Sequence, residues 1–167
     1  MFALVPIDRV APAAVESLLD AAFGADRHAR TAYRLRDGAA PIAAISLAAV
    51  EGDLLVGSIQ CWPLRFEADA GGSVPMVLVG PIAVSPARQD IGIGRALTRA
   101  AIAAARDQAV PGGDALMLIG DPDYYGRFFG FTAGRTAGWR LPGPFEPHRL
   151  LALGSGVPGG AGAVRPG

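Results

Sequence analysis

The chain has 167 residues, about half of them apolar (51%), with 15 basic and 15 acidic side chains and a formal net charge of zero. That length suffices for one domain with a sizeable core, and without a basic block nucleic-acid binding lacks an electrostatic footprint. No apolar stretch approaches a membrane span of about 18–20 residues, the N-terminus has no basic region leading into an apolar run, and the single Cys61 can form neither an internal disulfide nor a metal-ligand set.

These features predict a cytoplasmic protein without a metal, membrane or nucleic-acid partner. Every basic residue besides the two histidines is Arg, and Lys and Asn are absent, which suggests a GC-rich bacterial source because both have A-rich codons. Without Lys there is no P-loop lysine, Schiff base or lysine general base. Arg stays protonated, so it clamps anions but does not act as a base.

Along the chain, Met1 to Ile7 leads to Pro12 at a first-turn helix position. Val15, Leu18, Leu19 and Ala22 line one face, with Gly24 as the stop. Asp26 to Asp37 is polar and Arg-rich, with Thr31 as the cap of a short second helix. Ile42 to Val50 and Leu54 to Phe66 read as strands joined at Glu51-Gly52-Asp53, and Gly71-Gly72-Ser73 begins a return into the apolar strand Met76 to Val84. A helix over Arg95 to Ala109 carries Ile93, Leu97, Ala101 and Ala104 along one side and Arg95, Arg99 and Arg106 toward another. Pro111-Gly112-Gly113 ends it. Ala115 to Ile119 is a second buried strand, followed by the aromatic run Asp121 to Phe131. After a Gly/Pro-rich stretch, Leu150 to Leu153 is the last strand named, and Gly154 to Gly167 is expected to be a loose or draped tail.

The strongest signal is Ser85 to Arg95, where a strand passes through Gln89-Asp90-Ile91-Gly92-Ile93-Gly94 straight into a helix. Glycines there permit close backbone approach, and the helix start presents free N–H groups at the positive end of a dipole, a natural seat for phosphate. A plain helix-capping loop is the alternative. A Walker A loop fails for want of Lys. A Rossmann fingerprint fails because Leu97 stands at the third glycine and Asp114 precedes the next strand rather than closing it.

These residues resemble the GCN5-related N-acetyltransferase (GNAT) superfamily. Gln89, Gly92 and Gly94 match its Q/R-x-x-G-x-G/A acetyl-CoA loop. Ala115–Ile119, Tyr125 and Gly130-Phe131 match its following strand, tyrosine-bearing helix and Gly-Phe. The likeness covers roughly residues 77–131, and the Gly-Asp-Pro-Asp-Tyr-Tyr and Pro-Gly-Pro-Phe segments look most like bacterial YhbS-like acetyltransferases.

The resemblance implies an α/β (α+β) fold: one domain over 1–153, a mixed, mostly antiparallel sheet of about 6–7 strands flanked by helices, and the 154–167 tail. It implies acetyl-CoA as co-substrate, with the backbone of Ile82, Ala83 and Val84 along the pantetheine arm. Arg88, Gln89, Asp90, Ile91, Gly92, Ile93, Gly94 and Arg95 would wrap the pyrophosphate. Gly80-Pro81 would mark the point where this strand splays from its neighbour.

Tyr125 would be the catalytic acid that protonates the leaving thiolate, a phenol of pKa about 10 serving a thiol of about 8.5. Relatives place three residues between this tyrosine and Gly-Phe; here Gly126 to Phe129 make four, which calls for a bulge or a shifted helix start. Asp90 stands where relatives commonly have Gly, so it should turn outward or cap the helix. No obvious general base appears: Glu51, Asp53, Glu67, Asp121 and His28 all read as surface or turn groups. The Arg-rich 27–36 stretch is either a solvated face or a wall for an anionic acceptor, and Cys61 and Trp62 could line an apolar acceptor pocket.

The implied function is acetyl transfer to a primary amine by direct attack in a ternary complex, on a small-molecule or peptide acceptor, with a homodimer allowed. The alternatives are a non-catalytic acyl-CoA-binding or sensing module of the same fold, and a Gly-loop domain without a cofactor.

Overall fold

Pro12 in the first turn and Gly24 at φ 89 bracket the first periodic segment, which folds as helix α1 (Pro12–Phe23) with Val15, Leu18 and Leu19 buried. The computed structural model describes residues 1–167. In chain order the other elements are β1 (Ala3–Pro6), α2 (Thr31–Leu35), β2 (Leu47–Glu51), β3 (Leu54–Ala68), β4 (Ser73–Val84), α3 (Ile93–Asp107), β5 (Leu116–Ile119), α4 (Pro122–Phe129), β6 (Trp139–Arg140), β7 (Leu150–Leu153) and β8 (Gly162–Pro166).

They make an α/β domain with a mostly antiparallel open sheet, the expected class, here with eight strands. The strand path is β1-β2-β3-β4-β5-β7, with β8 paired to β3 and β6. Of the ladders, β4–β5 and β6–β8 are parallel. No helix is long and apolar enough to cross a membrane.

Two compact units divide the chain, and β3 and β4 pass through both. The first comprises Met1–His28, Pro41–Cys61 and Gly80–Gln108. Its sheet runs from β1 through β2 into β3, in antiparallel register Leu4↔Ala49 and Ala48↔Ser58. Val15, Leu18 and Leu19 of α1 pack with Ala83. Helix α3 lies so close to β3 that a Cβ on Gly57 would stand 2.6 Å from Ile93 Cγ2 and 3.1 Å from Leu97 Cδ1. Glycine is therefore required at 57. Ile93, Leu97, Ala101 and Ala105 form the buried stripe, at i+4 steps, while Arg95, Arg99 and Arg106 face solvent.

Here the structure departs from the sequence reading at two points. Cys61 takes a bond from Ile42 N–H at 2.7 Å and gives one to Ser46 Oγ at 3.0 Å, so Ala43–Ile45 loop out as a 3-10 turn and β2 begins only at Leu47. Arg27 is no solvated side chain: only 2% exposed, it donates to Asp20 at 3.0 Å and is paired with Glu16, tying down the end of α1.

The second unit comprises Ala29–Ala40, Trp62–Val79 and Ala109–Gly167. Leu35, Trp62, Phe66, Met76, Met117, Trp139 and Leu150 centre its core. Thr31 does not cap α2. It is the first helical residue, Arg30 holds the cap position without a side-chain bond, and the Thr31 hydroxyl donates to the Pro144 carbonyl.

Nor is the 154–167 segment loose. Leu64 to Ala68 pair with Pro166 to Gly162. Val157 and Val164 are the apolar anchors that the sequence reading undervalued, at 6% and 2% exposure. Ion pairs to β8 and its neighbours, Arg165–Glu67 and Arg140–Asp69, each reach 2.8 Å. Strands β6 and β8 complete the eight, where about six or seven were expected.

Candidate functional site

The parallel ladder of β4 with β5 comprises the pairs Val77↔Leu116 and Leu78↔Met117. Gly80, at φ 125, and Pro81 follow at once, joined by a cis peptide bond. The β4 segment Ile82–Val84 thus lies beyond that ladder. Ala83 is buried, while Ile82 and Val84 are half-buried.

After Val84 the chain is anchored by Ser85 N–H to the Val56 carbonyl at 2.8 Å, then makes a 3-10 turn over Pro86–Arg88. Two residues turn left-handed on the way into α3: Asp90 at φ 69 and Gly92 at φ 87. Asp tolerates this region better than most side chains, and the Asp90 carboxylate is exposed and caps nothing. Gly92 is the N-cap of α3, with no side-chain cap bond. The first-turn N–H groups, which have no intrahelical acceptor in any helix, thus lack a side-chain one from the N-cap as well, at the positive end of a 15-residue helix. Ile93 contributes backbone alone, since its side chain is the buried anchor against Gly57. Ile91 and Gln89 are exposed. Such a cradle suits a diphosphate.

Arg88 has a partner to which no local pattern points. Its Nε donates to Glu51 Oε1 at 2.8 Å, joining the loop to the β2–β3 hairpin. The hydrogen bond from Arg88 holds the Glu51 carboxyl below the usual carboxylate range.

Tyr125 lies in the second unit, on α4. Asp121 starts that helix by accepting from Asp123 N–H at 3.0 Å, with Pro122 in the first turn. The helix is α throughout Pro122–Phe129, without a bulge. It ends in a left-handed glycine cap. There Gly130, at φ 85, donates to the carbonyls of Gly126 and Tyr125, and Phe131 N–H also reaches the Tyr125 carbonyl at 3.2 Å, a bond spanning six residues.

The Tyr125 ring packs edge-on against Tyr124, with centroids 4.9 Å apart, and against Phe131 at 6.2 Å. Burial pushes its hydroxyl up to about 12, with the neighbouring Tyr124 adding to the shift and Arg149 opposing it. A Cβ on Gly120 would stand 2.5 Å from Tyr125 Cε2. Gly120 is in turn bonded both ways with Arg149, whose carbonyl accepts from Gly120 N–H at 2.9 Å and whose Nε donates to the Gly120 carbonyl at 3.3 Å. Sequence reasoning gave Gly120 no role beyond its place in the Gly-Asp-Pro-Asp-Tyr-Tyr segment and passed over Arg149. The glycine between a buried strand and Asp-Pro was a readable signal; Arg149 offered none.

The structure gathers Ile82 to Arg95 in one unit and sets Tyr125 in the aromatic cluster of the other. Among the acids, Glu51 is paired with Arg88, Glu67 with Arg65 and Arg165, and Asp121 caps α4. Burial pushes the Cys61 thiol up to about 12, partly offset by a hydrogen bond with the Gly80 backbone. The Arg36 guanidinium lies 4.2 Å above the Trp62 ring and 3.9 Å from that of Tyr33. His, Cys, Asp and Glu side chains form no group of three or more placed to hold a metal ion.

The profile of the acetyltransferase (GNAT) family matches residues 12–131. Among solved structures, the YhbS GNAT N-acetyltransferase from Escherichia coli in complex with CoA superposes with a TM-score of 0.71 at 22% identity, covering 100% of this chain and 89% of that one. A GNAT-family acetyltransferase from Brucella melitensis in complex with acetyl-CoA gives 0.67 at 26% identity, covering 99% and 95%. A GCN5-related N-acetyltransferase from Kribbella flavida gives 0.58 at 22% identity over 79% of this chain and 33% of that one. No curated protein matches the chain significantly.

Proposed function

The chain belongs to the acetyltransferase (GNAT) family, and on that premise we propose that it binds acetyl-CoA and transfers the acetyl group to a primary amine. The observation that carries the binding half is the entry to α3, where Asp90 and Gly92 are left-handed and the N-cap Gly92 makes no side-chain cap bond; a helix N-terminus of this kind suits an anion. Two fold neighbours, one crystallised with CoA and one with acetyl-CoA, support the choice of diphosphate ligand. In this reading Arg88 to Arg95 hold the pyrophosphate, and the backbone of Ile82 to Val84 beyond the β5 ladder takes the pantetheine amides as an added strand.

The transfer half is read as direct attack in a ternary complex. The amine nitrogen bonds to the thioester carbon, a backbone N–H in the 82–84 strand polarises the carbonyl, and the C–S bond breaks. The amine releases a proton to solvent, and Tyr125 gives one to the departing sulfur. A hydroxyl held near 12 remains a proton donor throughout the working pH range.

Calorimetry tests binding: CoA should release or absorb heat at one site and raise the melting temperature, since a ligand of the native state alone must stabilise it. Tyr125→Phe should then cut turnover with CoA affinity kept; unchanged turnover removes its role. One observation favours the second reading, an acyl-CoA-binding module without catalysis: Glu51, Glu67 and Asp121 all have structural partners. Release of free thiol from acetyl-CoA in the presence of an amine panel separates the two.

A further inference from the structure

We propose that Glu51 is a positioning residue for acetyl-CoA, holding the Arg88 guanidinium ready at the mouth of the loop so that the diphosphate meets an ordered cation. This rests on the reading of residues 82–95 as the CoA site.

Arg88 sits on the single 3-10 turn between β4 and the left-handed residues, an element too short to orient a long side chain by itself. An arginine left to sample its rotamers gives up side-chain entropy when a ligand fixes it. Glu51 removes much of that freedom beforehand. It ends β2, its backbone held in register against Leu54 across the hairpin, so its carboxylate projects from a rigid element. Oε1 takes the Arg88 Nε–H at 2.8 Å, and a second, longer bond at 3.4 Å runs from Nη1 to the Ala87 carbonyl. The guanidinium plane is thereby fixed at two points, and Nη2 is the donor that neither bond uses. The pair is 37% and 22% exposed, so the guanidinium is open on one side and partly shielded from water. Orientation, rather than added charge, is what Glu51 supplies, because its own charge offsets that of Arg88.

Initial rates with acetyl-CoA varied, together with CoA calorimetry, test this in the full-length protein. Glu51→Ala should raise KM for acetyl-CoA and Kd for CoA about tenfold, with kcat within about twofold, as the cost of ordering returns at each binding event. Glu51→Gln should stay near wild type, because its amide oxygen still accepts from Nε. Arg88→Ala should raise KM at least as far, and the double variant no further than Arg88→Ala alone. Unchanged KM in Glu51→Ala beside a raised KM in Arg88→Ala would overturn the proposal. A lowered KM in Glu51→Ala would do the same, since Glu51 would then compete with the diphosphate. So would Arg88→Ala without effect in a protein that binds CoA, which leaves the CoA reading standing. Wild type with neither heat nor stabilisation on adding CoA overturns both together.

Discussion

The ring of Tyr125 lies against the backbone of Gly120, where even a methyl group would come within 2.5 Å of Cε2. The glycine that follows strand β5 thus decides where the candidate acid sits. Arg149 clasps that same glycine through two hydrogen bonds. Gly120→Ala is expected to cost about 1–3 kcal/mol by overpacking and to turn the phenol away. Turnover should fall toward that of Tyr125→Phe while CoA affinity stays within about twofold, because the phosphate loop is untouched. Steady-state kinetics beside CoA calorimetry check the split.

Gly57 plays the same part for the loop. Adding its methyl group would meet Ile93 at 2.6 Å, and Ile93 is the first helical residue of α3. Gly57→Ala should lower stability by about 1–3 kcal/mol and weaken CoA binding, whereas Ala104→Gly on the same helix should lower stability and leave the loop in place. Denaturant melts with and without CoA distinguish them.

With its hydroxyl pushed up to about 12, Tyr125 should ionise only in strongly alkaline solution. Absorbance at the phenolate band should show this step missing from Tyr125→Phe. The pH–rate profile should have no falling limb near pH 10 from this group, since the protonated, competent form persists above that value.

Cys61, buried and pushed up to about 12, is expected to be inert to thiol reagents in the native protein. Labelling should appear only with denaturant, at the midpoint of global unfolding. Fast labelling without denaturant would mean that β3 opens locally at this residue.

Acid should loosen the second unit at its β8 margin. Hydrogen bonds from Arg165 and Arg140 hold Glu67 and Asp69 below their ordinary values of 4.5 and 3.8. A depressed carboxyl stabilises the fold above its unfolded pKa, and that contribution is lost as pH falls through the folded value. Melting temperature should therefore drop below about pH 4.5. The double variant Glu67→Gln/Asp69→Asn should show a shallower acid slope than wild type.

Local chemistry made much of this protein legible in its sequence. Pro12 and Gly24 set the limits of α1, the apolar run to Val84 set β4, and Gln89 to Gly94 set the loop, because helix starts, stops and left-handed turns depend on a few adjacent residues. For Asp90 local reasoning left two options, turning outward or capping the helix, and the structure takes the first. The partners of those segments were another matter. Arg27 reads as one more solvated arginine until Glu16 and Asp20 close on it, and Gly154 to Gly167 reads as a tail until Phe66 and its neighbours offer it a strand edge. Glu51 and Arg88 stand 37 positions apart, and Gly120 and Arg149 stand 29 apart. Their pairing depends on how strands and helices stack, which no run of neighbouring residues encodes. The sequence determined a Gly-rich turn into α3 and a tyrosine-bearing helix; only tertiary packing decided which side chains hold each of them still.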